Sequence, residues 1–244
     1  MARRFYVNKP LDVNDVITFI GEDYNHIINV LRYKLNDELI ICNGSEFDFL
    51  CSLEKIDKKL CEFKVLSKQI NQVEAKTNVA VFQALVKGEK FELIAQKLTE
   101  LGVNTLVPFV SKFVVVKQNT TRLDRLEKIS VEAIKQCGRA KPLKIENIIS
   151  FSEMLKKLSE YDIVIFANEN SNNNFDFRNL KDYNGKNVAI IIGSEGGFDK
   201  DEVEKLSNLQ NVKEITLGKR ILRAETACIC LTAVVMNALN EWNI

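Results

Sequence analysis

Two short, unbroken apolar runs set the tightest limit on what this chain can fold into. "DIVIFAN" (162–168) and "NVAIIIG" (187–193) show no alternation of apolar and polar side chains. A strand with one wet face alternates; a run without alternation is covered on both faces, as inner strands of a parallel sheet are. "VAVFQAL" (79–85), "NTLVPFV" (104–110) and "VKEITLG" (212–218) read as further strands. Amphipathic segments lie between them. "KFELIAQKLTELG" (90–102) sets Phe91, Ile94, Leu98 and Leu101 on one helical face and stops at Gly102. "RLDRLEKISVEAIKQCG" (122–138) is a second helix ending at glycine, and a long helix closes the chain over about 224–242. Strand–helix alternation predicts an α/β fold with a parallel sheet. The Asn-rich stretch 168–187 is polar and reads as a surface excursion.

The first 70 residues follow another rule. Strands are expected at 4–7, 16–20, 38–43, 47–56 and 60–66, with "NG" at 43–44 as a hairpin signal. One helical stretch, "YNHIINVLR", has Ile27, Val30 and Leu31 at the spacing of one apolar face. The polar "NQVEAKTN" then reads as a linker. The chain therefore divides into a small, mostly antiparallel β domain at 1–70 and a larger domain at 71–244.

Charge narrows the function classes. Lys and Arg number 34 against 33 Asp and Glu, a net charge of +1. That excludes a global basic footprint for nucleic acid, though not a local patch. A single histidine, His26, and six cysteines without a CxxC pair argue against a metal site and for reduced, mostly buried thiols. No apolar run approaches the roughly 20 residues of a membrane helix. "MARRFYVNKP" lacks an apolar signal region, so a soluble cytoplasmic protein is expected.

Three stretches hold the candidate chemistry. "GSEGGF" (193–198) follows a buried strand and precedes an acidic amphipathic helix. It matches neither the Walker nor the GxGxxG phosphate pattern, and Glu195 would repel a polyphosphate. Two readings stay open here: a loop for a ligand bearing hydroxyls, amines or positive charge, or a plain strand-to-helix turn with a solvated glutamate. "LGKRILRAETA" (217–227) puts Arg220 and Arg223 past the end of a strand, where open α/β sheets bind ligands; salt-bridged surface arginines are the other reading. The helix it opens carries Ala224, Ala227, Cys228, Leu231, Val235 and Ala238 at helical spacing, fit for a core or a subunit interface. In "VEAIKQCGRAKP" (131–142), Glu132 and Gln136 share a helical face that Arg139 extends, with Ile129, Ala133, Ile134 and Cys137 on the buried side. That stripe offers cations to RNA phosphate, or it is a solvated face.

Taken together, these stretches resemble the RsmE family of bacterial SPOUT-class methyltransferases, over nearly the whole chain. The matching residues are His26, Val30, Leu31, Arg32, Lys34 and Asp37 in the first domain; Lys87, Gly88, Gln96, Lys97, Glu100, Leu101 and Gly102; Glu132, Gln136, Gly138 and Arg139; then "GSEGGF" and "LGKRILRAETA". Asn36, Ser194 and Ala224 stand where the family has glycine, proline and threonine, and Ser111-Lys112-Phe113 where it has S-E-R. The resemblance implies a PUA-like β-barrel domain before a SPOUT sheet with a C-terminal trefoil knot, working as a homodimer. It implies methylation of uracil N3 in 16S ribosomal RNA of the small subunit, with S-adenosylmethionine as cofactor and no metal. Cofactor contacts would fall to Phe166, Ala167, Ile192, Gly193, Glu195, Gly196, Gly197, Leu217, Gly218, Ile221 and Leu222. Arg223 would serve catalysis first, then Arg220, with Glu225 beside them. Arg3, Arg4, Arg32, Gln136 and Arg139 would meet RNA. A SPOUT enzyme acting on another RNA, such as transfer RNA ribose, or a non-catalytic RNA-binding protein of the same fold, are the alternatives.

Overall fold

The computed structural model describes residues 3–116, 121–173 and 175–242. Two compact units emerge: Met1–Glu74 with Ile134–Lys141, and Ala75–Ala133 with Pro142–Ile244.

The first unit is built on a five-stranded sheet in the order β1-β3-β4-β5-β2. Its strands are β1 (Arg4–Tyr6), β2 (Val16–Ile20), β3 (Glu38–Cys42), β4 (Phe47–Ile56) and β5 (Leu60–Ile70). All pairs are antiparallel except β1 with β3. The strands alternate, and their inward set, including Phe5, Ile17, Leu39, Phe49 and Phe63, forms one core. The expected helix differs. A four-residue α1 (Gly21–Tyr24) runs into a π-helical turn at Asn25–Val30. The wider turn breaks the apolar spacing: Ile27 is buried, whereas Val30 is exposed. Asn36 has φ of +71°, a region asparagine tolerates.

The second unit carries a parallel sheet in the order β12-β10-β11-β6-β7-β8, with β9 also on β7. The strands are β6 (Asn78–Ala84), β7 (Thr105–Val110), β8 (Lys144–Ile145), β9 (Ile149–Ser150), β10 (Ile163–Ala167), β11 (Asn187–Ile192) and β12 (Val212–Ile215). Helices α2 (Gly88–Glu100), α3 (Leu123–Cys137, up to Ala133 in this unit), α4 (Phe151–Lys157), α5 (Lys200–Ser207) and α6 (Ala224–Ala238) complete the α/β alternation. Both sheet faces are covered. Val81, Ile165 and Ile190 pack with Ile94 of α2 and Leu231 of α6; Phe82, Phe166 and Ile191 pack with Met154 of α4 and Leu206 of α5. Each such buried side chain contributes roughly 1.5–3 kcal/mol, so the unbroken apolar runs are the sheet's main source of stability.

One expectation needs correction, and one open reading is narrowed. The Asn-rich stretch is not simply a surface excursion: a 3₁₀ helix at Phe177–Tyr183 buries Leu180 in the core, with Phe175, Phe177 and Tyr183 packed against it. The small-residue stripe of α6 also faces that core, where Ala224, Cys228, Leu231 and Val235 are buried. It is used within the chain; the exposed edge of α6 is Thr226, Cys230, Val234 and Asn237.

Candidate functional site

The carboxyl ends of β10, β11 and β12 lie side by side, and the loops that leave them enclose a cavity of about 270 Å³. This is where the topology of an open parallel sheet gathers loops from neighbouring strands.

The loop after β11 forms one wall. Ser194 Oγ accepts the Gly196 N–H at 3.3 Å, and the Ser194 carbonyl accepts the Gly197 N–H at 3.0 Å. Ser194 thus ties the turn with both its hydroxyl and its carbonyl. Gly197 has φ of +68°, and a Cβ there would lie 2.7 Å from Glu169 Oε1. A Cβ on Gly193 would sit 2.8 Å from the Phe198 ring. Phe198 stands edge-on to Phe166 and stacked on Phe109, which anchors the loop to the sheet. From below, the buried Gln83 of β6 donates Nε2–H to the Gly193 carbonyl at 3.1 Å. Asp199 and Glu202 then close a capping box on α5, while Lys112 donates its backbone N–H to Glu202 and its Nζ to Asp199.

Glu195 is braced from the side. Its Oε1 accepts from Lys90 Nζ of α2 at 2.7 Å. Burial alone would raise the Glu195 carboxyl, but the Lys90 hydrogen bond and charge outweigh it and hold the group below its ordinary value. Lys90 also lies 3.8 Å from Glu225 Oε2, which is shielded from water and accepts no hydrogen bond among the described residues.

The second wall, Leu217–Arg223, differs in kind. The N–H groups of Leu217 to Leu222 have no acceptor among the described residues. Arg220 and Arg223 are exposed and form no ion pair with a described residue, so they are not the salt-bridged surface pair that was the other reading. Arg223 is the N-cap of α6 and makes no side-chain cap, and Ala224 in the next position has no hydroxyl to offer.

The cavity thus brings together Ala167, Ile192, Gly193, Glu195 and Gly197 with Leu217, Gly218, Ile221 and Leu222, and adds Arg220 and Arg223. Phe166, Gly196 and Glu225 are not in its lining. Phe166 is wholly buried, and Gly196 lies against Phe113. Asn168, Glu169, Phe198 and Thr216 line it without having been foreseen. Asn168 and Glu169 directly follow β10, and the strand-end rule applied to Arg220 would have found them.

The proposed RNA contacts fall into two groups. Arg3, Arg32 and Gln136 are exposed. The expectation that Arg4 and Arg139 offer surface cations is corrected. Arg4 pairs with the buried Asp48 and donates to the Gly138 carbonyl at 3.0 Å. Arg139 is 5 % exposed and meets Glu74 at 2.6 Å, and Glu74 also accepts the Ala140 and Lys141 N–H groups. Cys137, expected on the buried side, is exposed.

Comparison with known proteins follows this geometry. The family model described as RNA methyltransferase domain matches residues 73–236, and that described as RNA methyltransferase PUA domain matches 19–66. A ribosomal RNA small subunit methyltransferase E from Rickettsia conorii is 32 % identical, covering 95 % of this chain and 94 % of its own. This chain belongs to the ribosomal RNA small subunit methyltransferase E family. The Bacillus subtilis methyltransferase E is 31 % identical, covering 93 % of each chain. The crystal structure of a methyltransferase E from Neisseria gonorrhoeae bound to S-adenosyl methionine matches with a TM-score of 0.79 at 26 % identity, covering 97 % of this chain and 98 % of that one. The five-stranded sheet and the parallel sheet are thus the PUA and methyltransferase parts of a methyltransferase E. Among the described residues no cluster of His, Cys, Asp or Glu is placed to hold a metal ion, and no helix is long and apolar enough to cross a membrane.

Proposed function

We propose that this chain methylates N3 of a uridine in 16S ribosomal RNA of the small subunit, with S-adenosylmethionine as methyl donor. The observation that carries the reading is the cavity itself: one wall of backbone N–H groups and guanidiniums without partners among the described residues faces a hydrogen-bonded glycine loop. Such a site suits a ligand with an adenine edge, hydroxyls and mixed charge. The full-length relatedness to methyltransferase E proteins supports the choice of RNA, and the ligand in the Neisseria gonorrhoeae protein supports the choice of cofactor.

When bound, S-adenosylmethionine supplies a methyl group on a positively charged sulfur leaving group. The chain's own residues do the rest. Gly193, Gly197, Leu217, Gly218 and Leu222 offer backbone to the adenosyl part, with Ala167, Ile192 and Ile221 as apolar flanks. Glu195 and Glu225, both near Lys90, hold the two walls in place. Arg223, with Arg220 next to it, faces the mouth and stabilises the uracil anion that forms when N3 gives its proton to water. Holding that anion in line with the methyl group would supply much of the acceleration.

Residues 1–70 serve as the RNA-holding module through Arg3 and Arg32, and 71–244 carry the chemistry. The C-terminal segment is threaded as a trefoil knot, and the protein works in the cytoplasm as a homodimer. Methylation at N3 blocks Watson–Crick pairing and stops reverse transcriptase. Deleting the gene is expected to abolish one such stop in small-subunit RNA, and the purified protein to restore it when given S-adenosylmethionine. An unchanged stop pattern redirects the reading to another RNA; absence of cofactor binding leaves only a binding protein.

A further inference from the structure

We propose that Glu169 selects the charge of the cofactor: its carboxylate recognises the sulfonium end, so the cationic donor binds more tightly than the neutral thioether left after methyl transfer. The inference rests on the S-adenosylmethionine reading above and names a residue that reading left unused.

Four charged side chains line the cavity: Glu169, Glu195, Arg220 and Arg223. Glu195 is neutralised by Lys90 at 2.7 Å. The two arginines have no carboxylate partner among the described residues. With these three alone the cavity is positive, and a sulfonium entering it would meet repulsion. Glu169 is the one carboxylate in the lining with no hydrogen bond or ion pair to a described residue. Its charge offsets one of the two guanidiniums and gives a cation a local negative group to approach.

Its backbone is held, while its side chain is exposed. Glu169 follows β10 directly, and the backbone before it is pinned. The Asn168 N–H donates to the Ile215 carbonyl at 2.9 Å, and Asn168 Nδ2 donates to Glu214 Oε1 at 2.8 Å. The carboxylate lies beside Gly197: a Cβ at that position would stand 2.7 Å from Glu169 Oε1. Glycine at 197 therefore does two things. It makes the turn, and it leaves room for an acidic group at the loop's inner edge.

Hydroxyl recognition is the competing use of such a carboxylate. Ribose hydroxyls are identical in donor and product, so that use gives no discrimination between them. Charge recognition does, and it favours release of the spent cofactor.

Isothermal titration of the full chain decides between these. The ligands are S-adenosylmethionine, S-adenosylhomocysteine and sinefungin, which carries an ammonium-bearing carbon in place of the sulfonium. Glu169→Gln keeps shape and removes charge. It is expected to weaken the two cationic ligands about tenfold, ~1.4 kcal/mol, and the neutral one by less than about twofold. Equal weakening of all three, or of none, overturns the proposal. A wild-type chain that binds none of the three removes the S-adenosylmethionine reading itself. A salt titration of the wild type is independent of the variant's folding: the preference for the cationic donor over the neutral product must shrink as ionic strength rises. A salt-independent ratio counts against Glu169.

Discussion

Arg4 and Arg139 in the first unit share a side chain with Arg220 and Arg223 in the second, but their circumstances are opposite. Arg139 is enclosed with Glu74, and Arg4 with Asp48, partners 65 and 44 positions away in the chain. Arg220 and Arg223 stand exposed at a cavity mouth with no partner among the described residues. A guanidinium with its hydrogen bonds used and its charge cancelled holds structure. One whose fork is open keeps its field for a ligand. The contrast separates two kinds of arginine that the sequence motifs treat alike.

The contrast breaks first at Arg139. Arg139→Ala leaves the Glu74 carboxylate buried without its cation, and losing one partner of such a pair costs about 3–5 kcal/mol. Urea unfolding is expected to show this as a large fall in midpoint. Glu74→Ala in the same chain should restore only part, because the Ala140 and Lys141 N–H groups then lose their acceptor. Arg223→Ala is expected to do the reverse. Its unfolding midpoint stays within about 0.5 kcal/mol of wild type, while single-turnover methyl transfer to small ribosomal subunits falls about 10²–10³-fold, the scale for losing one donor to a developing anion. If Arg223→Ala melts like Arg139→Ala, the two arginines are of one kind after all.

What was legible in the sequence follows the range of the interaction. The runs at 162–168 and 187–193 become β10 and β11 because two-sided burial is written in consecutive residues. Gly102 ends α2 for an equally local reason. The glycine loop and the Leu217–Arg223 segment come to one cavity in the structure, although strand periodicity alone cannot bring segments so far apart to one place. The pairing of Arg139 with Glu74 was invisible, since each residue looks solvated in its own neighbourhood. Val30 was misread because a π-turn is not encoded in apolar spacing. Glu169 was passed over for sitting in an Asn-rich run that looked uniformly polar; its strand-end position was the stronger signal.

Gly197 tests the rigid wall. Gly197→Ala puts a Cβ at φ of +68° and 2.7 Å from Glu169. The left-handed backbone costs about 1–2 kcal/mol, and cofactor affinity is expected to fall further than stability, since the Glu169 carboxylate must swing away from the new Cβ. Calorimetry beside urea unfolding reads the two losses separately; equal losses would mean the wall serves folding alone.

The smallest effect concerns the Lys90 brace on the same wall. Lys90→Met should leave the unfolding midpoint unchanged, because both partners are partly exposed. Its mark is expected in cofactor affinity and in the pH dependence of that affinity. The Glu195 carboxyl is held below its ordinary value in the folded chain. Its contribution is therefore complete above the unfolded carboxylate pKa, about 4.3, and is lost only as pH falls through the depressed value. Wild-type affinity should owe Glu195 no change between about pH 8 and pH 5. In Lys90→Met the depression disappears, so the acid limb of the binding curve moves upward in pH. An acid limb that stays in place would mean that Lys90 and Glu195 meet without consequence for the ligand.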